Sequence, residues 1–179
     1  AHVINALLED IDCPPDVIED VIMGSVSQIG EQGMNVARNI VLASQLPESV
    51  PATSVDRQCG SSQQALHFAA QAVMSGSMDV VVAGGVESMT RTPMFSTITL
   101  PKKNGMGQYM SPNLQKRYPN VEFSQFDGAE MLVKQYGISK QELDEYALES
   151  HRRAAGAFKH GAFKREIVPI DVKDATDAA

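Results

Sequence analysis

The sequence predicts an α/β domain, a parallel-rich sheet with helices packed on it, and three observations carry that prediction. Short apolar runs bounded by turn residues alternate with stretches of helical spacing, the signature of right-handed βαβ units. The run 79–85, Asp-Val-Val-Val-Ala-Gly-Gly, shows no polar alternation, as expected for a strand covered on both faces. Hydrophobic residues make up 43% of the 179, enough for one well-buried domain with an extra lobe.

The elements follow in order. Residues 2–9 place Val3, Ile4, Leu7 and Leu8 at helical spacing, and 12–16, with two prolines, is a turn. Residues 20–24 are a short apolar strand. Gly30 and Gly33 bracket a loop, and 35–44 is a helix with apolar residues at 36, 37, 40, 41 and 43. A strand over 51–58 leads into a helix from 60 to 75, which gathers Ala65, Leu66, Phe68, Ala69, Ala72 and Val73 on one broad face. After the strand 79–85 the pattern breaks. Residues 91–126 read as one long loop of Pro, Gly, Asn and Ser with isolated methionines and aromatics, and a loop of that length is functional or mobile. Helices return at 127–136 and at 139–159, the second opened by Ser139 with Glu142 three residues on. Residues 166–172 read as a strand, which Pro169 confines to an edge.

Composition excludes several classes. Fifteen Lys plus Arg against 22 Asp plus Glu give a net charge of −7, with no compensating basic stripe, so nucleic acid is not expected as a partner. Cys13 and Cys59 form no CxxC pair, and no secretory leader or membrane-spanning apolar run is visible. A reducing, soluble compartment is expected, the bacterial cytoplasm by default, with mitochondrion and peroxisome left open. Both ends look cut, because the chain opens without Met on a helical pattern already in progress and closes directly after an extended segment.

Cys59 is the residue with the strongest chemical signal. It stands where the strand 51–58 meets the helix 60–75, and the unpaired N–H groups and dipole of a helix N-terminus favour an anion, so a thiol there is set up as a nucleophile. Its neighbours, Arg57-Gln58 before and Gly60-Ser61-Ser62-Gln63-Gln64 after, are polar, unlike the aliphatic surroundings of a structural cysteine. Gly60 leaves room beside the sulfur. A thiol phosphatase would need an arginine a few residues on, and the next is Arg91. The papain pattern needs a second cysteine and an aromatic, where Ser62-Gln63 stand, and redox pairing needs a neighbouring cysteine. Acyl transfer through a thioester remains. His67 lies eight residues beyond Cys59 on the same helix, more than two turns away, and cannot serve as its base. The histidines show no metal-ligand spacing, and no metal site is expected. Gly84-Gly85 lacks the surrounding glycines of a dinucleotide loop and fits close backbone approach to another segment, the Cys59 turn being the candidate. Glu87 and Arg91 would then line the mouth of the site, or simply pair with each other.

The segments 55–65, Val-Asp-Arg-Gln-Cys-Gly-Ser-Ser-Gln-Gln-Ala, and 75–90, ending Ala-Gly-Gly-Val-Glu-Ser-Met-Thr, resemble the nucleophile region of the thiolases, the acetyl-CoA acyltransferases. Residues 30–38 resemble the loop and helix before it, and 129–169 the insert that precedes the family's coenzyme A contacts. The resemblance implies a thiolase-like αβαβα layered fold made of two similar halves. In that frame 1–93 is the N-terminal half without its first strand, 94–165 an inserted loop-domain segment, and 166–179 a return strand and end. It implies that Cys59 is acylated while a second cysteine and a histidine from the other half move protons. Acyl-CoA and coenzyme A are then substrates rather than permanently bound cofactors, and a homodimer or homotetramer is the expected assembly. Gln125 stands where many biosynthetic members carry a methionine, so Gln125 and Phe126 are candidates for the acyl pocket. A ketosynthase or hydroxymethylglutaryl-CoA synthase would share the cysteine turn but not the 83–89 segment. A non-catalytic, thiolase-like lipid carrier or scaffold would lack the cysteine.

Overall fold

The computed structural model describes residues 1–171. It divides into two compact units, 1–109 and 110 onward.

The first unit is built on three parallel strands, β1 (Asp20–Gly24), β2 (Ala52–Val55) and β3 (Val81–Gly85), in the order β2-β1-β3. Alternation along β1 sends Val21 and Met23 to one face and Ile22 to the other. On the first face lie α1 (His2–Asp10) and α2 (Val36–Leu42), whose Ile4, Leu8, Ala37 and Val41 close over Val21 and Met23. On the second lies α3 (Ser61–Met74), which meets Ile22 through Ala65 and Ala69. Alanines at these contacts let the helix axis come close to the sheet. Val21 and Val41 are fully buried, and each such side chain stabilises the fold by about 2 kcal/mol.

α2 is also stitched to the sheet by polar groups. Asn35, with φ +58°, caps it by accepting from the Arg38 N–H and donates its amide to the Ala52 carbonyl at 2.9 Å. Ser54 Oγ takes the Ala37 N–H at 3.1 Å and donates to Asn35 Oδ1. Across the sheet, where β1 and β3 begin, Glu19 accepts the N–H groups of Asp79 and Val80, which fixes the entry into β3 and holds the Glu19 carboxyl below its ordinary range.

β3 is only half-buried, and Gly85 is exposed. Both of its faces are packed, Val82 toward the α1–α2 side and Val81 with Ala83 toward α3, as its unbroken apolar run predicts. Its position at the sheet edge, with β1 the strand it pairs with among the described residues, leaves its flank open.

Four expectations are corrected, the start of α6 below among them. β2 stops at Val55 rather than 58, because the Asp56 side chain captures the Gln58 N–H and turns the backbone. The stretch 91–126 contains two helices, α4 (Ser96–Lys103) and α5 (Pro112–Arg117). α5 is opened by Ser111 as N-cap with proline at the first helical position, a start signal hidden in a Pro- and Asn-rich context. α4 continues through Pro101. Residues 166–171 form no strand, since no described segment pairs with them, and Val172 lies outside the described residues. The turn there closes through the Glu166 and Ile167 N–H groups, which both donate to the Phe163 carbonyl.

The second unit consists of α5, α6 (Gln125–Tyr136) and α7 (Lys140–Lys159), none with a buried residue. α6 starts two residues earlier than expected, capped by Ser124. α7 begins as predicted. Ser139 Oγ accepts the Glu142 N–H at 3.2 Å while Glu142 Oε2 accepts the Ser139 N–H at 2.8 Å. The N–H and hydroxyl of Ser139 hold the Glu142 carboxyl below its ordinary value.

Candidate active site

Cys59 sits at the strand-to-helix turn between β2 and α3, as its flanking patterns predict, and its thiol is free and exposed. The turn is tightly defined. Gln58 has φ +50°, a left-handed conformation that a non-glycine residue holds only where its surroundings impose it. Asp56 Oδ1 accepts the Gln58 N–H at 2.8 Å, and the Gln58 carbonyl accepts from the Ser61 N–H at 3.0 Å and the Ser61 hydroxyl at 2.5 Å. The Gly60 N–H closes onto the Arg57 carbonyl at 3.1 Å. Cys59 is thereby held one residue before the N-cap, Gly60.

The helix that follows has no side-chain cap, as is also true of α1 and α4, whereas α2, α5, α6 and α7 are capped by Asn35, Ser111, Ser124 and Ser139 respectively. A 14-residue helix with an uncapped first turn directs unpaired N–H groups and its dipole toward the space next to the thiol. Such N–H groups favour negative charge developing on an oxygen bound to the carbon that the thiol attacks.

Two glycines set how deeply the turn is seated. Gly24 and Gly85 face each other in register at the carboxyl ends of β1 and β3. A Cβ on Gly24 would fall 2.3 Å from the Ser61 carbonyl carbon and the Ser62 nitrogen, and one on Gly85 would fall 1.9 Å from Ser62 Oγ. Only strands without side chains at those positions admit the first turn of α3. The close approach expected of Gly85 is present. Gly84 meets only the flexible end of Met23, and Gly24 was not legible as a partner until the register was known. Next to the thiol, a Cβ on Gly60 would meet the Arg57 carbonyl oxygen at 3.5 Å, ordinary contact, so Gly60 is not required by packing inside this chain.

The loops after β1 and β3 are clasped beside this notch. Glu87 accepts the Val26 N–H at 2.8 Å, the Ser27 N–H at 3.3 Å and the Gln32 amide at 2.9 Å. Buried Gln32 in turn accepts the Ser88 N–H at 2.7 Å. Burial works to raise the Glu87 carboxyl, but the donors from Val26, Gln32 and Ser27 outweigh it, and the group titrates below its ordinary 4.5. Glu87 therefore ties two loops together rather than pairing with Arg91, which bridges to Glu31 at 2.8 Å on the surface. His67 is exposed on α3.

Gln125 and Phe126 occupy the first turn of α6 in the second unit, both exposed. A hollow in the first unit is lined by Thr97, Ile98, Pro101, Met106 and Tyr109 among others and does not include Cys59. Among the described residues no cluster of His, Cys, Asp or Glu could hold a metal, and no helix is long and apolar enough to cross a membrane.

The family model described as the thiolase N-terminal domain matches residues 1–179. The chain belongs to the thiolase family. It is 43% identical over 169 residues to the steroid 3-ketoacyl-CoA thiolase FadA6 of Mycobacterium tuberculosis, which covers 93% of this chain and 42% of the relative. It is 41% identical over 179 residues to a 3-ketoacyl-CoA thiolase of Aeromonas salmonicida, covering 99% of this chain and 44% of that protein. A 3-ketoacyl-CoA thiolase of Bacillus subtilis is 39% identical over 155 residues, covering 87% and 37% respectively. The chain thus spans less than half the length of these thiolases. The parallel α/β architecture of its first unit is the fold of the family's N-terminal domain.

Proposed function

We propose that this chain supplies the nucleophile of an acyl-CoA:acetyl-CoA C-acyltransferase, with Cys59 as the residue acylated. The observation that carries the reading is the exposed Cys59 thiol at the uncapped N-terminus of α3, on a turn seated by Gly24 and Gly85 at the carboxyl ends of parallel strands. Ligands of open parallel sheets bind at that end. The relatives named 3-ketoacyl-CoA thiolases support the substrate class.

In the thiolytic direction the Cys59 thiolate adds to the C3 carbonyl of a 3-ketoacyl-CoA. The C2–C3 bond breaks, its electron pair stays on C2, and protonation there releases acetyl-CoA. The acyl group remains on sulfur as a thioester. A free coenzyme A thiol then loses its proton to a base, attacks the thioester and leaves as the shortened acyl-CoA, restoring the Cys59 thiolate. Run backward, the same steps join two acetyl units. Acyl-CoA and coenzyme A are substrates in this scheme, and it uses no resident cofactor. The proton donor and acceptor it needs fit the second cysteine and histidine that the family resemblance places in the other half.

Exposed apolar side chains, Leu66, Phe68 and Val73 on α3 and Met131, Leu132 and Leu148 in the second unit, support a protein that covers more surface than this chain does alone. A homodimer or homotetramer fits them. Two free thiols suit a reducing compartment such as the cytoplasm. Gln125 and Phe126 are proposed to contribute to the acyl pocket.

The test is steady-state thiolysis by the full protein. Parallel double-reciprocal lines across fixed coenzyme A concentrations, abolished activity in Cys59→Ala and retained activity in Cys13→Ala are expected. Intersecting lines, or a Cys59→Ala protein that still turns over, would remove the covalent step.

A further inference from the structure

We propose that Ser61 is a positioning residue for Cys59, its hydroxyl locking the turn that aims the thiol. The inference rests on the reading of Cys59 as the acylated nucleophile.

Serine at a helix start ordinarily accepts a hydrogen bond from an N–H further into the helix. Ser61 does the reverse. It is the first residue of α3, is 4% exposed, and its hydroxyl reaches backward across the turn, accepting the Arg57 N–H at 2.9 Å and donating to the Gln58 carbonyl at 2.5 Å. One side chain thus brackets the peptide units immediately before Cys59. A hydroxyl offers one donor and two acceptor sites, and here the donor and one acceptor are both spent on the turn, away from competing water.

Those bonds act where the backbone is strained. Gln58 holds φ +50°, with its N–H held by Asp56 and its carbonyl by the hydroxyl and N–H of Ser61. The orientation of that carbonyl's peptide, which joins Gln58 to Cys59, sets where the Cα–Cβ bond of Cys59 points. Ser61 in turn cannot drift, because its backbone lies in the notch left by Gly24, where even a methyl group would collide with it. The strand ends, Ser61, the Gln58 peptide and Cys59 form one mechanical series. Removing the hydroxyl leaves an N–H and a carbonyl of the turn without these bonds and frees the left-handed residue to relax.

A thiol displaced by a fraction of its attack distance loses rate in the chemical step, while the hydroxyl itself, spent on the turn, offers substrate no contact to lose. In the full protein, Ser61→Ala should lower kcat for thiolysis about 100-fold with KM little changed. Cys59 should also react more slowly with iodoacetamide. Thr and Val have the same shape and differ by the hydroxyl, so Ser61→Thr should recover most of the rate while Ser61→Val does not, even if Ser61→Ala folds poorly. Equal rates in the Thr and Val variants, or a Ser61→Ala enzyme with wild-type kcat, would overturn the proposal. Cys59→Ala in the same assay separates the two claims: if it retains activity the nucleophile assignment fails, and if it is dead while Ser61→Val is unimpaired only the positioning role fails.

Discussion

In the first unit α1, α2 and α3 each turn an apolar face out of water against a parallel sheet, whereas α5, α6 and α7 in the second carry no buried residue at all. The helices of the second unit are written locally instead. α7 has a complete capping box, Glu149 binds Arg152 and Arg153 at 2.6 and 2.7 Å along the same face, and Lys140 pairs with Asp144. Such helices form from caps and side-chain pairs one turn apart, each a small contribution that is easily screened. Burial fixes positions to a fraction of an ångström and local signals do not. The nucleophile turn lies in the first unit, where packing can hold a strained backbone in place.

The sharpest break of this contrast is in the notch. Gly24→Ala puts a methyl group into the backbone of Ser61 and Ser62, and should destabilise the first unit by about 3 kcal/mol, read by denaturant midpoint, with loss of activity. A midpoint unchanged from the parent would mean that α3 is free to move away from the sheet. Next in size, Val21→Ala removes packing from the centre of the sheet and should cost about 2 kcal/mol, while Leu148→Ala in α7, at 70% exposure, should change this chain's stability by less than about 0.5 kcal/mol. Equal losses at the two sites would erase the distinction between the units. Ser139→Ala should weaken α7 by about 1 kcal/mol, visible as faster hydrogen exchange in its first turn and not in β1.

The smallest effect is the response to acid. Glu87, Glu142 and Glu149 all titrate below their ordinary 4.5 in the folded chain, Glu87 against an opposing burial effect, Glu142 because of Ser139 and Glu149 because of Arg152 and Arg153. A depressed carboxyl stabilises the fold fully above its unfolded value and loses that contribution as pH falls through the folded one. Local opening in the loop 86–91 and in the first turn and middle of α7, read by exchange corrected for the intrinsic pH dependence of amide exchange, should therefore be flat above about pH 5 and rise below the ordinary glutamate range. A rise beginning near neutrality would point to groups other than these.

What could be read from the sequence follows the same division. β1 at 20–24 and the start of α7 were legible because each is announced by neighbouring residues, an apolar run between turns in one case and Ser139 with Glu142 in the other. The Cys59 turn was legible as a change of pattern. Gly24 was not, because its importance depends on being in register with Gly85 some sixty residues later, and periodicity carries no register between strands. The early end of β2 hangs on one Asp56 hydrogen bond, and the sequence shows Ser61 only as a polar neighbour of Cys59, with nothing to say that its hydroxyl reaches backward. The strand expected at 166–172 had the right composition but no described partner, and composition alone cannot supply one.

The most direct measurement is peptide mass analysis of the full protein after brief exposure to acetyl-CoA. The account predicts one acetyl group, carried by Cys59, with Cys13 unmodified. A folded, full-length protein that takes up no acetyl group, or takes it up on Cys13, would contradict it.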